Sequence, residues 1–141
     1  MEQKRLRYAA YQPTYWRVAA DAVERQRPYL REVLAQPDTV AFVAEGDGPD
    51  LTAALIARVA PAPAVYAPGG PTLAIDDFWV VDEELWQSVG RALLDKAEQE
   101  ARERFGAAQI VVVCGQPDEP KRALLRAAGL TVASEWWTRP L

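Results

Sequence analysis

Histidine is absent from this chain of 141 residues. Its absence removes the commonest metal ligand and the commonest general base, and it excludes any Ser–His triad. Only one cysteine is present, Cys114. No disulfide can close within the chain, and zinc would have to be held by one thiolate and carboxylates, so no metal site is expected. A reducing, cytoplasmic setting fits this usage best. No apolar run approaches the roughly 20 residues of a membrane-spanning helix. The opening stretch MEQKRLRYAAYQPTYW is basic but lacks the apolar core of a signal peptide. An excess of positive charge is also missing: the net charge is −4. Neither a nucleic-acid partner nor a membrane partner is expected.

What remains is an ordinary globular composition, 50% hydrophobic and 26% charged, of a length that favours one domain over residues 1–141. Thr14 is expected to cap a helix running to Gln26, with Pro28 breaking it or opening the next. Tyr29, Leu30, Val33 and Leu34 then form one stripe of a core-facing helix. TVAFVAE (39–45) and LTAALIARV (51–59) read as a hairpin turned at Gly46-Asp47-Gly48. Pro61 to Pro71 is an irregular, proline-rich loop. Residues 72–81 form the next strand. From Ser88 to Phe105 the apolar residues Val89, Leu93, Ala97, Ala101 and Phe105 recur every four positions. The opposite face pairs Arg91 with Asp95, Glu98 with Arg102 and Glu100 with Arg104. QIVVVC (109–114) is nearly continuous in apolar residues, as in a strand buried on both faces. A short helix opens at Asp118 or Glu119 and stops at Gly129. Residues 130–134 and 136–139 read as strand-like. The expected order is α-α-β-β-β-α-β-α-β, with a parallel, right-handed crossover.

The segment 71–109 carries most of the functional information. It is a strand, a turn of about six residues and a long amphipathic helix. A helix start offers unpaired N–H groups and a positive dipole end, which suit an anion.

At these residues the chain resembles the GCN5-related N-acetyltransferase (GNAT) family, over roughly residues 39–141. The family's strand ends in Val, then carries a turn R/Q-x-x-G-x-G/A, then a helix with a Leu-Leu pair. Here Val80 ends the strand, Gly90 opens the helix and Leu93-Leu94 supplies the pair, without a gap. KRALLRAAGL is similar to the family's late helix. The resemblance implies an α/β fold with a mixed, mostly antiparallel sheet, a central splayed parallel pair and helices on both faces. It implies acetyl-CoA as co-substrate and a primary amine, on a small molecule or peptide, as acceptor. Phe78, Trp79 and Val80 would pair with the pantetheine arm, and Gln87, Ser88, Val89, Gly90 and Arg91 would hold the pyrophosphate.

The chain also departs from that pattern. Leu85 and Ser88 stand where the family has Arg or Gln and Gly. Leu125 stands where the family carries the Tyr that protonates the leaving thiolate, and Asp118 stands for a frequent Asn. No convincing first strand is legible in KRLRYAAY. Non-catalytic acyl-CoA binding, or an interaction module, is the alternative function, and a homodimer completing the sheet and site is a further one.

Asp76 and Asp77 are adjacent, so they are expected on opposite faces of the strand. One of them, Asp77 in the first instance, would deprotonate the amine directly or through water; the competing reading is a structural, hydrogen-bonded Asp. Cys114 reads as a small core residue, since no base activates it. Trp16, Trp136 and Trp137 either line the acceptor pocket or pack the first helices onto the last strands.

Overall fold

The computed structural model describes residues 2–48, 50–62 and 64–141. Four strands form one sheet in the order β1-β2-β3-β4. β1 (Thr39–Glu45), β2 (Leu51–Ala60) and β3 (Thr72–Val80) pair antiparallel, and β4 (Gln109–Val112) pairs parallel to β3. Helices α1 (Glu2–Tyr11) and α2 (Ala22–Leu34) precede the sheet. A 3-10 segment (Glu83–Gln87) and helix α3 (Val89–Phe105) connect β3 to β4, and α4 (Glu119–Ala127) follows. None of the helices among the described residues is long and apolar enough to cross a membrane.

The core lies between the sheet and α3. Ala53, Leu55, Ala57 and Val59 of β2 share one apolar cluster with Leu93, Leu94, Ala97 and Ala101 of α3 and with Leu124 and Leu125 of α4. The fourfold spacing read from the sequence is therefore the buried stripe of α3. Two of its expected ion pairs form, Arg91–Asp95 at 2.7 Å and Arg104–Glu100 at 3.5 Å; the Glu98–Arg102 pair does not.

Several expectations are corrected. The helix expected from Thr14 starts only at Ala22 and runs on through Pro28 to Leu34. Proline removes one backbone donor within a helix, and it is tolerated because α2 buries none of its residues. The stripe meant for the core is largely outside it: Tyr29 is 56% and Leu34 52% exposed. KRLRYAAY, where no convincing first strand was legible, is indeed not a strand but part of α1. β4 is not buried on both faces; Gln109 and Val111 are exposed because β4 is an edge strand. Residues 130–141 contain no strand, since a run of strand-forming residues makes a strand only where a ladder receives it. For the same reason the parallel pair, expected at the centre, stands at the β4 edge. Pro63, within the proline-rich loop, lies outside the described residues.

Candidate functional site

The site begins with one extra residue in β3. The β2–β3 register steps from Ala57↔Ile75 to Ile56↔Asp77, so Asp76 has no partner opposite. Such a bulge bends its strand and re-aims the side chains around it. Parallel pairing with β4 ends at the same level, at Ile75↔Val112, with one further bond from Val113 N–H to Ile75 O at 3.0 Å. Beyond this point the two strands part. The bulge interrupts the regular alternation from which Asp76 and Asp77 were expected on opposite faces. Both line a single cavity of about 540 Å³, together with Val113 of the neighbouring chain segment. Neither carboxylate is buried: Asp76 is exposed and Asp77 half-buried.

Helix α1 straddles the parting strands with residues spaced three and four apart, hence on one face. Lys4 Nζ donates to Asp76 O at 3.1 Å and pairs with Asp77 Oδ1 at 3.4 Å. Arg7 pairs with Glu83 of the 3-10 segment at 2.6 Å. The Tyr8 hydroxyl accepts from Gly115 N–H at 3.0 Å and donates to Asp118 Oδ2 at 3.1 Å. A Cβ on Gly115 would sit 3.0 Å from Tyr8 Cζ, so any larger residue there would press the phenol ring aside. Burial pushes the Tyr8 phenol well above its ordinary range. Burial likewise pushes the Cys114 thiol up, away from thiolate, and Cys114 is only half-buried beyond the end of β4.

The gap between the strands holds Lys121 of α4, which has no exposed surface. Its ammonium donates to Val113 O at 2.8 Å and Phe78 O at 3.3 Å, one carbonyl on each side of the gap. It also lies 5.2 Å from the Phe78 ring centre and 5.7 Å from that of Trp86. Burial lowers its pKa from 10.5 to about 8, because a buried charge loses its water. Phe78 and Trp86 meet edge to face at 4.9 Å.

At the start of α3, the Ser88 amide donates to Leu85 O at 3.3 Å. The amides of Val89, Gly90 and Arg91 belong to the first helical turn, whose N–H groups find no acceptor within a helix. Gln87 and Ser88 are exposed, whereas Gly90 is buried. A Cβ on Gly90 would stand 2.8 Å from Trp86 Cε3 and 3.3 Å from Leu124 Cδ2. Its missing side chain thus makes room for an indole. Asp82 accepts from Glu84 N–H at 3.1 Å, capping the 3-10 segment, and Asp82, Glu83 and Glu84 are exposed.

The nominated residues therefore fall into two groups. Asp77, Phe78, Trp79 and Val80 follow the bulge on β3, and Gln87 to Arg91 form the start of α3. Of the tryptophans, Trp16 and Trp136 line the cavity and Trp137, 90% exposed, does not. Lys4, Tyr8 and Lys121 were not singled out from the sequence. Only Lys121 left a signal there: it sits on the same stripe as Leu124, Leu125 and Ala128, a lysine where α4 is otherwise apolar.

Of Gln87 to Arg91 at the start of α3, only Gln87 and Ser88 are exposed, and the first-turn amides of Val89, Gly90 and Arg91 are the groups left to meet an anion. At the strand end Phe78 O already accepts from Lys121 Nζ. Two indole donors, Trp79 Nε1 and Trp86 Nε1, are buried without an acceptor.

Residues 6–130 match the model of the acetyltransferase (GNAT) family. No curated protein matches the chain. Among solved structures, a tetramutant of the BH1408 protein from Bacillus halodurans superposes with a TM-score of 0.79 at 12% identity, covering 99% of this chain and 88% of that one. The aminoglycoside antibiotic 6'-N-acetyltransferase of Acinetobacter baumannii gives 0.67 at 14% identity, over 84% and 81%. The ribosomal-protein-alanine N-acetyltransferase of Brucella melitensis biovar Abortus gives 0.61 at 21% identity, over 85% and 86%.

Proposed function

The chain belongs to the GNAT acetyltransferase family, and from that premise we propose that it transfers an acetyl group from acetyl-CoA to a primary amine. The observation that carries this reading is the parting of β3 and β4 directly after the Asp76 bulge, beside a large cavity. A thioester bound there would supply an activated acyl group with a good leaving thiol. Main-chain groups of Phe78, Trp79 and Val80 would hold its arm, by adding an extended chain to an open strand. The amides of Gln87, Ser88, Val89, Gly90 and Arg91 would hold its phosphates. Asp77 takes the proton of the acceptor amine, directly or through water. The Lys4 ammonium, 3.4 Å from Asp77 Oδ1, holds the carboxylate in place. Leu125 offers no proton, so the thiolate leaves on its own basicity. Bringing the two reactants together supplies most of the remaining rate.

A second reading has one observation in its favour. Lys121 already occupies Phe78 O, which suits a GNAT-fold module that binds acyl-CoA without turning it over, or that acts as an interaction partner. Titration calorimetry with acetyl-CoA separates the two. The transferase reading expects heat with the wild-type chain and release of free CoA thiol with an amine panel. Heat without thiol release, or heat only in Lys121→Ala, favours the module. No heat with either protein removes the transferase and the acyl-CoA-binding module and leaves the interaction partner.

A further inference from the structure

We propose that the cavity beside the bulge selects an amphoteric acceptor of the amino-acid class, one molecule carrying both an amine and a free carboxylate on an apolar body. This deepens the transferase reading and rests on it for the word acceptor, but the binding it predicts requires no acyl donor.

The residues lining the cavity carry charges of both signs. Two carboxylates, Asp76 and Asp77, stand at the bulge, where the strands part. Lys4 is committed to them through one ion pair and one carbonyl bond, so about one negative charge faces the cavity uncompensated. Three arginines line the same space from other elements: Arg5 on α1, Arg17 in the connection after it, and Arg25 on α2. Arg25 is neutralised by Asp21 at 2.6 Å. Arg5 donates to the Gln26 amide, which is neutral. Arg17 makes no ion pair among the described residues. Arg5 and Arg17, on α1 and the segment beyond it, therefore line the cavity without a carboxylate partner among the described residues. The overall charge of the chain is −4, so this local excess of cations is not a reflection of the whole surface.

A ligand that satisfies this wall places an ammonium near the Asp76–Asp77 pair and a carboxylate near Arg5 and Arg17. A guanidinium meets a carboxylate with two parallel bonds. The same wall is also aromatic. Tyr15 meets Trp16 edge to face at 4.8 Å and Trp136 at 5.6 Å, and all three line the cavity. A polyamine would bring further positive charge to the two free arginines. A ligand with a carboxylate and no amine would meet the aspartates. Only a molecule of both signs is matched at both places, and discrimination by unpaired charges is steep.

The test is calorimetry on the full chain without acyl-CoA, using L-phenylalanine, L-tryptophan and L-leucine, their carboxamides, and phenethylamine, 3-phenylpropanoate and spermidine. At least one free amino acid is expected to bind tenfold or more tighter than its carboxamide and its decarboxylated or deaminated counterpart. Arg17→Ala, an exposed position, is expected to erase that carboxylate preference while leaving phenethylamine binding unchanged; Asp76→Asn is expected to weaken amine-bearing ligands alone. The proposal is overturned if the carboxamide, phenethylamine or spermidine binds as tightly as the free amino acid, if no amino acid binds, or if Arg17→Ala leaves the preference intact. Acetyl-CoA turnover with phenethylamine as readily as with amino acids would sink this proposal and spare the transferase reading. Amino-acid binding without any acetyl-CoA heat would do the reverse.

Discussion

At Tyr8 one phenol oxygen serves two partners, the Gly115 amide and the Asp118 carboxylate. Removing it in Tyr8→Phe strands both, and leaving buried polar groups unpaired costs about 1–3 kcal/mol. A lower urea midpoint with an unchanged slope is expected. Lys121 makes a prediction in pH. The folded state holds this proton less tightly than the unfolded chain, since burial lowers the pKa from 10.5 to about 8. Between those values the unfolded chain binds more protons, so stability climbs as pH rises. Below about 8 both states carry the proton and the penalty of the buried charge is felt in full. Tyr8 acts in the opposite sense above its ordinary value of 10.0, because its folded form keeps the proton longer. The informative window is thus pH 8 to 10. Wild type is expected to gain on the order of 2 kcal/mol across it relative to Lys121→Met. Parallel denaturation series for the two proteins would reveal this, and equal pH profiles would contradict it.

Among the elements, α3 was the most legible from sequence, because its periodicity is a local property of one segment. The hairpin of β1 and β2 was legible for the same reason. The bulge at Asp76 was not, since a bulge exists only in the register between two strands. Two adjacent aspartates cannot announce that they share a cavity. Residues 130–139 look like strands one by one, yet pairing is a property of a neighbour they lack. At the start of α3, the missing side chain of Gly90 makes room for Trp86, a contact no sequence pattern announces. Gly90→Ala would gain up to about 1 kcal/mol in helix propensity, while a contact of 2.8 Å to Trp86 forces overpacking of about 1–3 kcal/mol. A net loss of stability is expected, relieved when Trp86→Phe is added; a double-mutant cycle by urea unfolding measures that coupling.

For the molecule as a whole, cohesion is concentrated between the sheet and helices α3 and α4, while residues 131–141 are exposed throughout. Deleting 131–141 is expected to change unfolding stability by no more than about 1 kcal/mol, yet to remove Trp136 from the cavity wall. Tight amino-acid binding by the shortened protein, or a large fall in its melting temperature, would contradict that division of labour. The same division explains what the sequence conveyed: the architecture is written in apolar periodicity. The cavity, by contrast, gathers α1, the 12–21 connection, α2, β3 and Trp136, distant stretches that share no pattern.

The unpaired residue in β3 also bears on how this chain can change by gain or loss of codons. Excising Asp76 would let the ladder run on unbroken, so that β3 could zip further along β4 and evict the Lys121 ammonium from between them. A single-codon deletion at that spot is expected to yield a protein at least as well folded as its parent but with no crevice to offer a ligand, whereas a neighbouring deletion in the loop 64–70 would spare the crevice.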